Sequence, residues 1–329
     1  MMDVKTLKSI MDGFKKKKIL VIGDIMLDHY IHGSVDRISP EAPVPVLEVK
    51  REEYRLGGSA NVAENLITLG AEVCIIGIVG NDQPGKQILK QLKGKKIDTQ
   101  GVFVSEERPT TVKTRIIANQ QQIVRIDKEK HEDIPSSMEK TILGKVISLI
   151  NTYDAVIMED YNKGLLTEHM IESIISLCNK SKKLVAVDPK FKNFFAYRNC
   201  TVFKPNFSEL QKNLGIMIET EDQFQEAVAK LEERIKAKYL IITRGEKGLT
   251  VFSKGSKVVS IPTFAREIFD VSGAGDTVIS TLTLGLAAGC DIETAALIAN
   301  HAAGVVCGKI GTSVAKSNEI IESFSQNSK

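Results

Sequence analysis

The sequence lacks paired cysteines, a long apolar run and an excess of charge of either sign. Its five cysteines are scattered and form no C-x-x-C pair, which argues against a disulfide framework and against a zinc site. The N-terminus has no signal-peptide core, and no uncharged apolar stretch reaches the roughly 18–20 residues of a membrane span. The formal net charge is only +3, so we expect neither nucleic acid nor a membrane as partner. The sequence indicates a cytoplasmic protein.

Short runs rich in Val and Ile alternate with longer helical patterns. This alternation is typical of an α/β fold, in which helices cover both faces of a mostly parallel sheet. The predicted strands are 19–22, 73–79, 155–158, 184–187, 201–203 and 239–243. The predicted helices are 138–150, 168–178, 222–235, 274–288 and 292–307.

Two stretches depart from this alternation and resemble β-structure outside the main sheet. The first holds three prolines followed by alternating apolar residues, and the second contains two apolar-rich runs. We therefore predict a single domain over residues 1–329, with a small β-sheet lid. Two excursions of the chain would form this lid, at about 30–56 and 100–127.

The segment 270–277 reads D-V-S-G-A-G-D-T and precedes a predicted helix. Glycines let backbone N–H groups turn toward one point, and a helix N-terminus adds partial positive charge, so this segment can bind an anion. Asp276 would lie in the first turn of the helix and could accept a proton from an attacking hydroxyl. The alternative is an incidental aspartate, because acidic residues are common in first turns.

A second glycine-rich segment, G-G-S-A-N at 57–61, lies far upstream. Gly57 and Gly58 permit close approach of the backbone to a ligand, and Asn61 would face that ligand from the next helix. Together with D-V-S-G-A-G-D, this segment resembles the signatures of the ribokinase-like (PfkB) carbohydrate kinases. The resemblance implies a ribokinase-like fold, Asp276 as the catalytic base, and an anion hole formed by the backbone amides of Gly273, Ala274 and Gly275.

Two further segments resemble the nucleotide site of that family. K-P-N-F-S-E at 204–209 is similar to its N-x-x-E motif, and T-R-G-E-K-G at 243–248 is similar to its T-x-G-x-x-G loop. The implied ATP and Mg²⁺ site comprises Asn206, Phe207, Ser208, Glu209, Thr243 and Gly245. Glu209 would hold Mg²⁺ through water, with no direct protein ligand to the metal. Asn206 and Glu209 could equally form a helix capping box, and both roles can hold at once.

The run R-I-S-P-E-A-P-V-P-V at 37–46 resembles one branch of the family, the D-glycero-β-D-manno-heptose-7-phosphate kinases. This resemblance implies phosphorylation of the anomeric 1-hydroxyl, giving a heptose 1,7-bisphosphate for ADP-heptose synthesis. The candidate substrate-binding residues are Asp24, Gly57, Gly58, Asn61, Arg115, Arg125 and Lys190. Which cation among the last three binds the sugar phosphate is open.

The same resemblance carries expectations about assembly and alternatives. It implies a homodimer formed through the lid, and it leaves dependence on a monovalent cation open. No H-x-G-H nucleotidyl-transfer motif follows the kinase helices, so we expect a kinase without a nucleotidyltransferase domain. Other PfkB-type kinases act on ribose, fructose phosphate or 2-keto-3-deoxygluconate, and these substrates are alternatives. A sugar- or nucleotide-binding protein that lost catalysis is a second alternative.

Overall fold

The computed structural model describes residues 2–119, 121–253, 255, 258–265 and 268–327. Its strands form a nine-stranded and a four-stranded sheet. In chain order the strands are β1 (Lys18–Gly23), β2 (Ile25–Ile38), β3 (Pro45–Gly58), β4 (Glu72–Gly80), β5 (Asp98–Ser105), β6 (Thr111–Ala118), β7 (Gln121–Lys128), β8 (Ala155–Glu159), β9 (Leu184–Asp188), β10 (Val202–Phe203), β11 (Tyr239–Thr243), β12 (Leu249–Ser253) and β13 (Val259–Ile261).

The helices lie mainly between the strands of the large sheet. In chain order they are α1 (Val4–Phe14), α2 (Ser59–Thr68), α3 (Gln83–Gly94), α4 (Ser136–Leu149), α5 (Glu168–Lys180), α6 (Phe207–Leu214), α7 (Glu221–Ile235), α8 (Ala274–Ala287), α9 (Ile292–Cys307) and α10 (Ser317–Asn327). No helix among these residues is both long and apolar enough to cross a membrane.

The large sheet has the strand order β13-β12-β11-β10-β9-β8-β1-β4-β5. From β11 to β5 all neighbouring strands are parallel, and β12 and β13 add an antiparallel edge. The six predicted strands correspond to β1, β4, β8, β9, β10 and β11. The predicted fold class, a mostly parallel sheet with a small β-sheet lid, is confirmed.

Side chains of the large sheet alternate between two hydrophobic cores. In β1, for example, Ile19 and Val21 join one core, whereas Leu20 and Ile22 join the other. The first core also contains residues of α1, α2, α3, α8, α9 and α10, and the second contains residues of α4, α5, α6 and α7. The sheet is therefore covered on both faces, which explains why its strands have nearly continuous apolar sequences.

The four-stranded sheet is the lid, with the order β3-β2-β6-β7. Strands β2 and β3 form a long antiparallel hairpin, and β6 pairs in parallel with β2. Strand β2 begins at Ile25, and Asp24 is the one residue between it and β1. Strand β5 overlaps the start of the second predicted lid excursion, yet it pairs with β4 in the large sheet. The lid part of that excursion accordingly begins at Thr111.

Candidate active site

Acidic side chains gather at the carboxyl edge of the large sheet. Asp24 follows β1, Glu159 ends β8 and Asp188 ends β9. Their exposed fractions are 4%, 1% and 5%. The chain order of the strands reverses at β1, which lies between β4 and β8. Ligands of open α/β sheets bind outside the carboxyl ends of the strands at such a reversal, so this edge is where a site is expected.

A cavity of about 690 Å³ lies at this edge. The predicted residues that line it are Lys190, Asn206, Phe207, Ser208, Thr243, Gly245, Gly273, Ala274, Gly275 and Asp276. Tyr161, Asp188 and Lys204 line it as well. Residues from distant parts of the chain, taken from the predicted nucleotide motifs and from the segment with Asp276, thus surround one space.

Asp276 is held in the first turn of α8 by a sharp bend. Gly273, at the N-cap of α8, has φ 81°, a left-handed conformation that favours glycine. The Asp276 carboxylate is 4% exposed and has two side-chain partners. Asn61 Nδ2 donates to Oδ2 at 2.6 Å, and the Tyr161 hydroxyl donates to Oδ1 at 3.0 Å. Helix α2, the loop after β8 and α8 therefore fix the carboxylate jointly.

Burial has the largest effect on the pKa of Asp276. Burial raises the pKa of the Asp276 carboxyl, and although the hydrogen bonds from Asn61 and Tyr161 lower it, the pKa stays above its ordinary value. Burial also raises the pKa of Tyr161 well above its ordinary value, so the phenol is a proton donor in this hydrogen bond. A carboxylate of this kind suits proton abstraction from an alcohol.

One backbone amide of the predicted anion hole already donates a hydrogen bond within the protein. The Ala274 N–H donates to the Val271 carbonyl at 3.2 Å. Gly273 and Gly275 line the cavity, and the partial positive charge of the α8 N-terminus is directed there. The anion hole stays a prediction, with the Ala274 amide as its least available donor.

A cluster of three carboxylates borders the cavity. One oxygen each of Glu159, Asp188 and Asp276 lies within 4.8 Å of the others. Burial and the charge of Asp188 raise the pKa of Glu159 well above its ordinary value. Glu159 Oε2 has no hydrogen-bond partner among the described residues, and Lys204 Nζ contacts Asp188 Oδ2 at 2.7 Å. Carboxylate oxygens suit Mg²⁺, so these residues fit a divalent cation.

Glu209 lies beside the cavity in two interactions at once. Its Oε2 accepts from the Asn206 N–H at 2.8 Å, which completes the capping box at the start of α6. Its Oε1 contacts Lys190 Nζ at 2.5 Å. Burial alone would lower the pKa of Lys190, but the charges of Asp188 and Glu209 outweigh it and the pKa is raised. The capping role of the pair is confirmed, and a water-mediated Mg²⁺ contact stays a prediction.

The predicted sugar-binding residues near the lid base contact other parts of the protein. Asp24 Oδ2 accepts from the N–H groups of Tyr161 and Lys163 at 2.8 and 3.0 Å. A Cβ on Gly58 would lie 2.4 Å from the Asp24 carbonyl oxygen, and Gly58 has φ 57°. A Cβ on Gly57 would lie 2.6 Å from a carboxylate oxygen of Asp28. The close approach that these glycines permit is therefore to the protein itself.

The predicted cations of the lid are both paired. Arg115 contacts the Asp28 carboxylate and its guanidinium lies 5.2 Å from the centroid of the Tyr30 ring. Arg125, on the outer strand β7, contacts Asp127 and is not among the residues that line the cavity. The structure thus brings Lys190 to the cavity but places the two arginines elsewhere on the lid.

The base of the lid is fastened to the loop between α9 and α10. Arg55 Nη1 donates to the Thr312 carbonyl at 2.9 Å, and Thr312 Oγ1 donates to Asp28 Oδ2 at 3.0 Å. In the same loop, the Gly311 N–H donates to Asp270 Oδ2 at 3.0 Å. Asp270 begins the segment that carries Asp276. Hydrogen bonds of this one loop therefore connect the lid base with the segment that carries Asp276.

Several residues of the site were not predicted from the sequence. These are Glu159, Tyr161, Asp188 and Lys204. Each lies at, or just after, the carboxyl end of a buried parallel strand. That position is the signal by which the sequence could have identified them.

Comparisons with known proteins identify the family and the fold. The model of the pfkB family carbohydrate kinases matches residues 16–319. The chain belongs to this family. Arabidopsis thaliana ribokinase, complexed with ribose and ATP, superposes on this family member with a TM-score of 0.75 at 19% identity, covering 93% of this chain and 98% of that one. Escherichia coli phosphofructokinase-2 in complex with potassium superposes with a TM-score of 0.79 at 18% identity. The match covers 95% of this chain and 100% of that one. Both share the fold.

Closer relatives are longer proteins. Bifunctional protein HldE of Helicobacter pylori is 44% identical over 304 residues, which cover 92% of this family member and 65% of the relative. Bifunctional protein HldE of Geobacter metallireducens is 42% identical over 323 residues. These residues cover 98% of this chain and 66% of the relative. This chain thus spans slightly less than two thirds of the length of these relatives.

Proposed function

We propose that this chain transfers the γ-phosphate of ATP to a sugar hydroxyl, with Asp276 as the general base. The observation that carries the proposal is the position of the Asp276 carboxylate. It lies on the cavity lined by the nucleotide motifs and is held by Asn61 from the lid side at 2.6 Å. A hydroxyl bound beside Asp276 would face the phosphates of a nucleotide in that cavity.

The residues around Asp276 support this chemistry. The carboxylate accepts the proton of the attacking hydroxyl, and Tyr161 and Asn61 keep it oriented. The α8 N-terminus stabilises negative charge on the transferring phosphoryl group. When bound, Mg²⁺ would supply positive charge that offsets the negative charge of the phosphates. Glu159 and Asp188 are the residues that would hold it, and Glu209 would contribute through water.

For the acceptor, we propose D-glycero-β-D-manno-heptose 7-phosphate, phosphorylated at its anomeric hydroxyl to the 1,7-bisphosphate in ADP-heptose synthesis. The run at 37–46 and the 42–44% identity with HldE proteins support this acceptor. Ribose, fructose phosphate and 2-keto-3-deoxygluconate are alternatives within the family. A binding protein without catalysis is disfavoured because the site retains the base together with Asn61 and Tyr161.

The central test is Asp276→Asn, assayed by release of ADP with heptose 7-phosphate, fructose 6-phosphate and ribose. We expect the wild type to prefer heptose 7-phosphate, and the variant to lose about 100- to 10,000-fold in kcat while still binding ATP. Asp222→Asn is the matched control, because Asp222 lies exposed in the first turn of α7. Unchanged turnover in Asp276→Asn would remove Asp276 as the base. Preference for ribose or fructose 6-phosphate would change the acceptor alone.

We further propose that two copies pair through their lids. The lid face that carries Tyr54, Val124 and Ile126 leaves these side chains 43%, 45% and 54% exposed. Burying exposed apolar side chains and the unpaired edge of β7 would stabilise such a dimer. Light scattering of the wild type and of Val124→Glu tests this, since a monomeric wild type would contradict it. Dependence on a monovalent cation stays a prediction.

A further inference from the structure

One face of the lid carries three cations. Residues i and i+2 of a strand share a face, so Lys113 and Arg115 of β6 point the same way. Arg125 of β7 lies directly opposite Arg115 and belongs to the same face. At Lys113 this face is turned toward Tyr161, a residue that lines the cavity, because Lys113 Nζ lies 5.1 Å from the centroid of the Tyr161 ring.

Lys113 differs from five cations of the lid and of the carboxyl edge of the large sheet in that no described carboxylate is in ion-pair contact with it. The paired cations are Arg115 with Asp28, Arg125 with Asp127, Lys163 with Glu129, Lys190 with Glu209, and Lys204 with Asp188. Along the described ranges of the chain, no carboxylate is in ion-pair contact with Lys113. The ammonium group lies instead against the face of Tyr161.

The surroundings of Lys113 favour an anion from outside the protein. The side chain is half-buried, and burial lowers the pKa of its ammonium group; the charges of Asp28 and Glu129 act in the opposite direction but do not outweigh burial. A partly desolvated cation with no carboxylate in ion-pair contact is stabilised when an anionic ligand binds. The three cations considered from the sequence are worse placed, since each already neutralises a carboxylate.

The position of Lys113 fits one end of a sugar phosphate. The Tyr161 side chain contacts Lys113 through its ring and Asp276 through its hydroxyl, at 3.0 Å. The cation and the base therefore contact the same tyrosine side chain, one at its ring and the other at its hydroxyl. An acceptor whose hydroxyl lies at Asp276 can direct its far end toward the lid.

We propose that Lys113 binds the phosphate group of a phosphorylated acceptor and so selects sugar phosphates over unphosphorylated sugars. The inference rests on the proposed kinase function, and it assigns the phosphate to a residue other than Arg115, Arg125 or Lys190. A charge-assisted contact of this kind changes kcat/KM by about 10- to 100-fold.

The test compares heptose 7-phosphate with the unphosphorylated heptose as acceptors. We expect Lys113→Met to lower the ratio of the two kcat/KM values about 10- to 100-fold, mainly through KM for the phosphorylated acceptor. Lys113→Arg should keep part of the ratio because it keeps the charge. Lys128→Met, which changes an exposed lysine of the lid, is the matched control and should leave the ratio as in the wild type.

Other outcomes separate this inference from the proposed function. If Lys113→Met lowered kcat/KM equally for both acceptors, Lys113 would have no role in binding the phosphate. The proposal would also be overturned if Arg125→Met, and not Lys113→Met, lowered kcat/KM selectively for the phosphorylated acceptor. If the wild type phosphorylates neither acceptor, the proposed kinase function is contradicted, and the role of Lys113 needs a separate test. Calorimetry with inorganic phosphate then tests Lys113 alone, and equal phosphate affinity of the wild type and Lys113→Met would overturn the inference.

Discussion

The Tyr161→Phe variant tests how the protonation of the proposed base is set. The substitution removes only the hydroxyl that donates to Asp276 Oδ1 at 3.0 Å, and it keeps the ring against which Lys113 and Lys190 lie. The lost hydrogen bond stabilised the ionised carboxylate, so its removal raises the pKa of Asp276 further. Because the base acts in its ionised form, activity of the variant must fall at a higher pH than in the wild type.

The size of this effect follows from the type of hydrogen bond. A hydrogen bond to a charged group contributes about 1.5–3 kcal/mol, and about 1.4 kcal/mol corresponds to one pH unit. The acid limb of the kcat/KM profile should therefore move up by about one to two pH units.

The assay is ADP release measured between about pH 5 and 9, with ATP saturating and the acceptor well below KM. At the alkaline end, where Asp276 is ionised in both proteins, Tyr161→Phe should approach wild-type activity. A uniform loss at every pH, with the acid limb unmoved, would refute the reasoning. It would show that Tyr161 serves binding and leaves the protonation of Asp276 unaffected.

Two further predictions concern the scaffold of the site. Asp188→Asn leaves the buried Lys204 without its counter-ion. The substitution should lower the free energy of unfolding, measured with urea, by about 3–5 kcal/mol. A much smaller loss would mean that another group compensates for the charge of Asp188. Gly273→Ala places a Cβ 2.9 Å from Asn61 Nδ2 at φ 81°, so it should lower kcat at least about 10-fold by displacing Asn61. Gly215→Ala, at φ 66° in open space, is the matched control, and equal kcat in both variants would contradict the prediction.

The strands of the parallel part of the sheet could be predicted from the sequence because they are buried on both faces. Strand β8, for example, is buried at every position and gives an uninterrupted apolar run before its final glutamate. The antiparallel edge was not predicted, since β13 has only three residues and β12 is apolar for only part of its length. The start of β2 was also missed. Only Asp24 separates β2 from β1, and a change of sheet at one residue leaves no turn signal.

Sequence patterns located the parts of the site but not their contacts. Asn61 was predicted to bind the sugar, and its contact with Asp276, 215 residues away in the chain, was not predicted. The pairing of cations likewise depends on tertiary structure: Arg115 and Lys113 lie two residues apart on one strand face, yet only Arg115 has a carboxylate partner. A local sequence signal cannot distinguish these two side chains.

The hydrogen bonds at the lid base restrict how the lid can move. If the lid swung about Asp24, it would have to break the hydrogen bond that Arg55 donates to Thr312 and the one that Thr312 donates to Asp28. We therefore expect the near half of the lid to move only together with the loop between α9 and α10. Strand β6 pairs with β2 as far as Gly33, and the hairpin shifts register there and again after Val35. We expect bending in the outer half of the hairpin, which would close over an acceptor without displacing Asp276.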